Sequence, residues 1–500
     1  MAATPYLLGI DLGTTTCRCA IFDLSGAEVA AAYCENTVSY PRPLWAEVEP
    51  ESWWRCVVQV VREALATSGV APERIAGVGL AGLMHAPVLL DGDGRPVAPA
   101  MLWMDQRCAP QCEAMRREDP ALGGLMSATL SAPKLRWLAE MQPEALARAR
   151  TLVLPKDFVR YRLTGELCTD ASDASGTGLF DRQREAWDLG AARLARVPAG
   201  ILPALRPSWA PGGAVTAAAA AETGLAPGTV VAVGGGDTSC TLLGAGGLAP
   251  GEVCIYLGTA AWIALVDGAG AAGRPAIGSF GATATTGAAL RWARDLLGSE
   301  APAGVSASYD ALTQHAAGVG PGAEGLFFLP HLMGERGPEP DPLARGALVG
   351  LTLRHGRPQV VRAVLEGIAF HLRRLLEARV AEHWPGGGPV AGAACGGVAR
   401  SALWMQMLAD VTRVPLRVPA VAEAAVLGAA ILGGVAAGAL EHDTAAGQMV
   451  RGGPTYIPDP LRAAQYDAPY ARYCELDDLL APWFRAGAAE EPGPPAADSL

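Results

Sequence analysis

The chain has 500 residues, half of them hydrophobic, and a formal net charge of −11. That length exceeds what one core can organise and implies two or three domains. The acidic balance excludes nucleic acid as the main partner, because phosphate backbones require clustered Lys and Arg.

In chain order, Tyr6 to Ile10 is an apolar run that predicts a buried strand, and Cys17 to Phe22 alternates as a second. Gly13-Thr14-Thr15 lies between them. Glycine allows a sharp turn, and successive N–H groups with Thr hydroxyls make a concavity suited to phosphate. Asp11 ends the first strand at the mouth of that turn, placed for a metal ion carried by the phosphate. An ordinary hairpin with a strand-end Asp fits this stretch equally well. The motif returns, however: Leu257-Gly258-Thr259 sits between two further apolar runs, with Tyr256 where the first copy has Asp11. Such a repeat predicts two like-folded domains, each with a phosphate turn.

Pro50 opens a helix predicted through Ser68, with Trp54, Val57, Val58, Val61 and Leu65 at helical spacing. Arg74 to Leu80 predicts a strand. It contains Gly77-x-Gly79-x-x-Gly82, which is not a dinucleotide fingerprint because its glycines fall inside the strand. Met84 and His85 follow, then a strand over Val88 to Leu90. Met101 to Arg107 brings Trp103, Asp105 and Arg107 together as a candidate wall for a polyhydroxy ligand, or equally as a helix start. Leu154-Pro155-Lys156-Asp157 opens a helix ending at Thr164-Gly165, and Thr169 to Asp173 reads as a polar loop. Val230 to Val233 predicts a strand with Gly234-Gly235-Gly236-Asp237 at its carboxyl end, where α/β sheets bind ligands.

Ala249-Pro250-Gly251 reads as a hinge. Gly287 to Leu297 predicts an amphipathic helix, His331 to Pro338 a loop, Arg362 to Leu376 a long helix. Val390 to Cys395 predicts a strand turned by Gly396-Gly397 into a helix capped by Ser401. Ala424 to Leu440 is uncharged, yet too short and Ala/Gly-rich for a membrane span; a buried packing helix is expected. From Gly487 the Pro- and acid-rich tail is expected to be disordered. The eleven cysteines form no framework, and neither Cys17/Cys19 nor Cys108/Cys112 has the second pair a cysteine zinc site needs. Scattered thiols, and a strand beginning after five residues with no room for a signal peptide, predict a cytoplasmic chain. Walker A, Gly-x-Ser-x-Gly and His-Glu-x-x-His motifs are absent, and the seven histidines are dispersed.

Together these segments resemble the FGGY carbohydrate kinases, and within them the xylulokinases, from about Tyr6 to about Ala437. The resemblance rests on Gly9 to Thr15, Trp45-Ala46-Glu47 with Trp53-Trp54, Pro155-Lys156-Asp157, Thr164-Gly165-Glu166, Ser172-Asp173, Gly234 to Asp237, Leu257-Gly258-Thr259, Gly334-Glu335-Arg336, Glu366-Gly367 and Gly396 to Ser401. It implies an α/β fold of two ribonuclease-H-like, actin-like ATPase domains facing across a nucleotide cleft, expected over 1–248 and 249–486. It implies ATP and Mg²⁺, with a sugar and ATP as partners, no nucleic acid or membrane, and a homodimer left open. Asp237 would be the base and Asp11 and Asp237 would serve the metal. Met84, His85, Trp103, Asp105 and Asp237 would meet the sugar. Gly13, Thr14, Thr15, Gly258, Thr259, Gly287, Arg291, Gly396, Gly397 and Arg400 would meet the nucleotide.

Met84-His85 matches the xylulokinase sugar segment, where glycerol kinases carry an Arg-Glu pair, so the expected reaction is D-xylulose to D-xylulose 5-phosphate. Departures cluster at the sugar: Leu83 in place of Gln, Ala86 of Gly, Met104 of Asn, and Thr238 of Asn or Gln. Val398 replaces the third Gly of the nucleotide turn. The alternatives are a kinase for another polyol, ketose or sugar acid, such as ribulose, erythritol or gluconate, or a non-catalytic ATP or sugar sensor.

Overall fold

A computed structural model describes residues 5–269, 275–297, 313–337 and 341–488. The described chain forms two compact units. The first comprises residues up to Gly246 together with Glu423–Arg451, and the second comprises Gly247–Ala422 and the residues from Gly452 onward. The expected boundary near residue 248 falls close to the first crossing, but 249–486 is not one continuous domain. Residues Glu423–Arg451 return to the first unit, because the apolar helix they contain is shaped to its sheet.

The first sheet is built on the hairpin Tyr6–Leu12 and Thr16–Asp23, extended by Glu28–Glu35 on one side. On the other side the strand Ile75–Gly82 runs parallel to Tyr6–Leu12 and is followed by Val230–Ala232 and then antiparallel Pro211–Ala214. The second sheet repeats this order. Its hairpin Glu252–Leu257 and Ala261–Ala269 is flanked by Pro275–Ala282, and a parallel Ala391–Cys395 leads to Leu416–Arg417 and antiparallel Thr455–Tyr456. Six strands in the same order and sense in both units are the fold-level form of the Gly-Thr repeat.

Helix boundaries follow local chemistry. Pro50–Ser68 begins with Pro and ends on Gly69 in the left-handed region, and Pro155–Thr164 ends likewise on Gly165. The long helix of the second unit, Arg357–His383, extends beyond the expected Arg362 to Leu376 at both ends. The expected polar loop at Thr169 to Asp173 contains a helical turn, Ala171–Ala174, because the Asp170 carboxylate accepts from the N–H groups of Ser172 and Asp173. The last described helix, Asp467–Ala488, takes in residues 487 and 488, and the rest of the expected disordered tail lies outside the described residues. Among the described residues no helix is long and apolar enough to cross a membrane.

The uncharged segment forms the helix Ala424–Ala436, buried on almost every side. It lies backbone to backbone on the first sheet. A Cβ on Gly79 would sit 1.7 Å from the Ala429 carbonyl oxygen, one on Gly9 2.1 Å from that of Val426, and one on Gly77 2.2 Å from that of Gly433. Its other contact, with the helix Asp237–Gly244, is equally close: a Cβ on Gly428 would lie 1.9 Å from the Cys240 oxygen. The strand glycines that mimic a dinucleotide fingerprint are therefore there for close approach of another backbone. Gly79→Ala should destabilise the protein by about 2 kcal/mol or more, since neither backbone can retreat without disturbing the sheet. Gly92→Ala, with nothing within 4 Å, should stay within about 0.5 kcal/mol. Equal denaturant midpoints for the two variants would refute this account of the packing.

Candidate active site

In the first unit, chemistry-bearing residues collect at the carboxyl ends of three parallel segments. Asp11 is level with Ala81 on one side, and Gly235 is level with Ala81 on the other. Two strand spacings therefore separate the Asp11 and Gly235 backbones by about 10 Å. Asp237 follows directly as the first residue of the helix Asp237–Gly244.

The Asp237 carboxylate accepts hydrogen bonds from the Thr238 N–H (2.6 Å) and hydroxyl (3.2 Å). Burial nevertheless raises its pKa to about 6, against the lowering effect of those two bonds. Burial raises Asp11 further, to about 7, with the charges of Asp237 and Glu423 adding to it and Arg18 opposing. Arg18 stands opposite Asp11 in the hairpin and reaches Glu423 at 3.6 Å. Asp11 Oδ1 is buried and makes no hydrogen bond. An orphaned carboxylate oxygen beside a second carboxylate fits a hard, oxygen-seeking cation such as Mg²⁺.

The phosphate turn is fixed from outside. Gly13 N–H donates to the Thr16 carbonyl, and Asn36 grips the turn twice, its side chain donating to Gly13 O and its backbone to Thr15 O, all at 2.8 Å. Trp103 Nε1 donates to the Thr14 hydroxyl at 2.9 Å, and Thr15 is exposed. Trp103 is thus joined to the turn. Asp105 is not: its side chain is fully buried, accepting from the Ala46 N–H and from Arg107, whose guanidinium lies 3.5 Å over the Trp45 ring. The expected ligand wall is therefore partly an internal brace.

Met84 packs against the segment that carries Asp237, and His85 follows it. A Cβ on Gly236 would meet the Met84 side chain at 3.0 Å, which puts Met84 beside the residue preceding Asp237. His85 is half-buried and held at φ +71°, a left-handed conformation that a non-glycine residue keeps only when its surroundings impose it. Two groups do so here. The Gly176 carbonyl accepts from Nδ1 at 2.6 Å, which places a proton on that nitrogen. The buried Lys134 ammonium donates to the His85 carbonyl at 2.9 Å and to Thr129 O at 2.7 Å. Burial lowers the Lys134 pKa to about 7.

A buried ionic cluster supports Asp237 from behind. Lys156 lies 2.6 Å from Asp157, 3.2 Å from Asp170 and 3.4 Å from Asp173, and Arg160 also binds Asp157; all five side chains are shielded from solvent. Arg160 donates to the Val233 carbonyl, Ser172 accepts from the Gly236 N–H, and Ser208 donates to Asp170. The Gly234 to Asp237 segment is thus tied to Arg160 directly at one end and to Asp170 through the Ser172 hydroxyl at the other. Three carboxylates against two cations would leave one excess charge. Burial raises the Asp173 pKa well above its usual value, which opposes that excess. Lys134, Asn36, Asp170 and Ser172 were outside the sequence-derived site; only the run of polar residues at 169–173 gave a local signal.

In the second unit the expected nucleotide residues converge. The N–H groups of Gly287 and Ala288 donate to the carbonyls of Gly258 and Thr259, so the helix Gly287–Leu297 is docked on the second Gly-Thr turn. Gly396 has φ +97°, and a Cβ there would lie 2.5 Å from the Leu257 oxygen. Val398 Cγ2 lies 3.3 Å from where a Gly287 Cβ would be. Gly397 and Arg400 are exposed beside this cluster, and Arg291 is exposed one helical turn beyond Gly287.

The sequence was compared with known proteins. Residues 6–244 match the N-terminal domain, and residues 237–437 the C-terminal domain, of the FGGY family of carbohydrate kinases. The chain is 34% identical to the xylulose kinase of Escherichia coli (strain K12) over 422 residues, 81% of this chain and 84% of that protein. It is 35% identical to the glycerol kinase of Gloeobacter violaceus over 467 residues, 87% of this chain and 89% of that protein. The crystal structure of xylulose kinase from Rhodospirillum rubrum is 32% identical and superposes with a TM-score of 0.80, covering 96% of this chain and 100% of that one. The two repeated α/β units are the domains of the actin-like ATPase fold that these kinases share. With both halves matched, the chain belongs to the FGGY family of carbohydrate kinases, sugar phosphotransferases that use ATP as phosphate donor.

Proposed function

We propose that this kinase phosphorylates a ketopentose, D-xylulose, at its terminal hydroxyl, with Asp237 as general base. The observation that carries this reading is the half-buried Asp237, held by the ionic cluster at the end of the central strands and flanked by Met84. Its pKa of about 6 leaves it ionised at neutral pH yet more basic than a free carboxylate, which suits proton transfer. The hydroxyl oxygen attacks the γ-phosphorus of ATP as Asp237 takes its proton. The bond from phosphorus to the β,γ-bridging oxygen breaks, and ADP leaves. Asp11 and Asp237 are the residues that would hold Mg²⁺, which when bound neutralises phosphate charge. The Gly13 to Thr15 turn offers N–H groups and hydroxyls to phosphate, and Gly258, Thr259, Gly287, Arg291, Gly396, Gly397 and Arg400 are assigned to the nucleotide. The sugar assignment rests on Met84-His85 in place of the glycerol-type Arg-Glu pair. Both xylulose and glycerol kinases are among the relatives, so the substrate is decided by assay. Asp105, being internal, is assigned to bracing rather than to sugar contact.

D-xylulose should give the highest kcat/KM in a panel of ketopentoses, erythritol, gluconate and glycerol. A higher value for glycerol or gluconate would overturn the sugar assignment, and ADP release indifferent to any sugar would overturn the kinase assignment itself.

Asp237→Asn keeps the shape but cannot accept the proton. It should lower kcat by about 10²–10⁴ and leave the sugar Kd within a few-fold. In the wild-type protein kcat/KM should rise with pH through about 6, because the base works only when ionised. The stability effect has the opposite sign. A carboxylate whose folded pKa is raised destabilises the fold once pH exceeds its unfolded pKa, so Asp237→Asn should raise Tm at pH 7 and above, with the gain vanishing near pH 4. A folded variant with near-normal kcat would remove Asp237 as base.

His85→Asn retains a residue tolerant of positive φ. It should raise the sugar KM by about tenfold, the loss of about one charge-free hydrogen bond, with little change in Tm. Unchanged KM with a large fall in Tm would make His85 structural.

A further inference from the structure

The second unit contains a cluster that the kinase reaction does not use. His331, from the loop after the strand Phe327–Leu329, meets His371 of the long helix and Asp477 of the helix Asp467–Ala488. One ligand atom from each of the three lies within 4.8 Å of the other two. The imidazoles are 2% and 1% exposed and meet edge to face at 5.0 Å. They line a cavity of about 70 Å³.

The donors form a set that a metal ion can use. His331 Nε2 lies 2.9 Å from Asp477 Oδ1, and His331 Nδ1 lies 2.9 Å from Glu335 Oε2. Glu335 is itself held in place, its other oxygen accepting from the N–H groups of Arg336 and Gly337. A carboxylate on one imidazole nitrogen fixes the tautomer and turns the other nitrogen toward an ion. Arg374 occupies Asp477 Oδ2 at 3.1 Å, so that carboxylate offers its remaining oxygen, Oδ1. His371 Nε2 lies 2.8 Å from Glu335 Oε2, so one carboxylate oxygen faces both imidazoles. The other ring nitrogen of His371, Nδ1, is buried and makes no hydrogen bond, which is costly, and ligation of an ion removes that cost.

We propose that His331 Nε2, one ring nitrogen of His371 and Asp477 Oδ1 bind a divalent first-row transition ion of the Zn²⁺ class, with Glu335 orienting His331. Two imidazoles and one carboxylate exclude Mg²⁺ and Ca²⁺, which prefer all-oxygen shells, and suit Zn²⁺. Bonds of about 2.0–2.2 Å place tetrahedral ligands about 3.3–3.5 Å apart, within small side-chain shifts of the spacings present. The ion displaces any proton on His331 Nε2, and the proton that stays on Nδ1 is donated to Glu335. The ion ties the 331–337 loop, the long helix and the C-terminal helix together, at residues 40 to 146 positions apart, and so acts as a structural staple of the second unit.

The test uses the full-length, untagged protein, stripped with a chelator, dialysed and titrated with Co²⁺ as a visible probe. One equivalent should produce the d–d absorption of a four- or five-coordinate site, Zn²⁺ should displace it, excess Mg²⁺ should not, and Zn²⁺ should raise Tm. Asp477→Asn and His371→Gln should each weaken Zn²⁺ binding by at least about tenfold, and Glu335→Gln by about 10–100-fold, while Asp237→Asn should bind as wild type. Folding of each variant is checked by circular dichroism. If His371→Gln does not fold, Asp477→Asn decides, since its side chain is partly exposed at the end of a helical contact. No d–d band with excess Co²⁺ would overturn the proposal. So would undiminished binding by Asp477→Asn, or a thiolate-to-cobalt charge-transfer band, which would assign the ion to cysteines.

Discussion

The contact on which the first unit depends is the laying of one helix backbone directly on a sheet. Ala424–Ala436 sits so close to the strands Tyr6–Leu12 and Ile75–Gly82 that Gly9, Gly77 and Gly79 have no room for a single extra carbon. The same helix meets Asp237–Gly244 through Gly428. Dispersion attraction is collected at short range over the whole interface, and rigidity follows because no flexible side chain lies between the layers. Asp11 ends one of those strands, Met84 follows the other, and Asp237 opens the contacted helix. Their relative positions are therefore set by main-chain packing, and Glu423, the residue just before this helix, also adds its charge to the field at Asp11.

Charge buried behind the site performs a second task. The Lys156, Arg160, Asp157, Asp170 and Asp173 cluster is shielded from solvent, and such groups stabilise a fold only when every member is matched. Here Lys156 faces all three carboxylates and Arg160 also binds Asp157. What the cluster contributes most directly is direction: it binds Val233 O through Arg160 and, through Asp170 and Ser172, the Gly236 N–H. The three glycines before Asp237 would otherwise be the most pliable part of the sheet. Lys134 acts similarly on His85, holding a left-handed backbone that the side chain alone would not keep.

The two units share six-strand topology but not chemistry. The first hairpin ends in Asp11; at the equivalent place the second has Tyr256, stacked on Trp262 at 5.4 Å. Duplication thus gave two Gly-Thr turns, and only the first kept a carboxylate beside its turn. The second unit instead packs the helix Gly287–Leu297 onto the turn carbonyls and places Gly396 and Val398 against them. Its buried histidines and carboxylates lie in another part of that unit, on the 331–337 loop and the long and C-terminal helices.

The sequence by itself determined whatever depends on a few neighbouring residues. The boundaries of Pro50–Ser68, Pro155–Thr164 and Gly287–Leu297, both Gly-Thr hairpins, and the strand–Gly–Asp segment ending at Asp237 follow from periodicity, capping and turn chemistry. The duplication was legible for the same reason, since each copy carries its own signal. Tertiary structure alone decided the return of Glu423–Arg451 to the first unit, the inward turn of Asp105, the gripping of the Gly13 turn by Asn36, the Lys156 cluster, and the meeting of His331, His371 and Asp477. Each joins residues far apart in the chain, whose approach is set by how helices and sheets close-pack. No local pattern encodes which distant backbone will fill the space left by a glycine, or which distant carboxylate will face a buried cation.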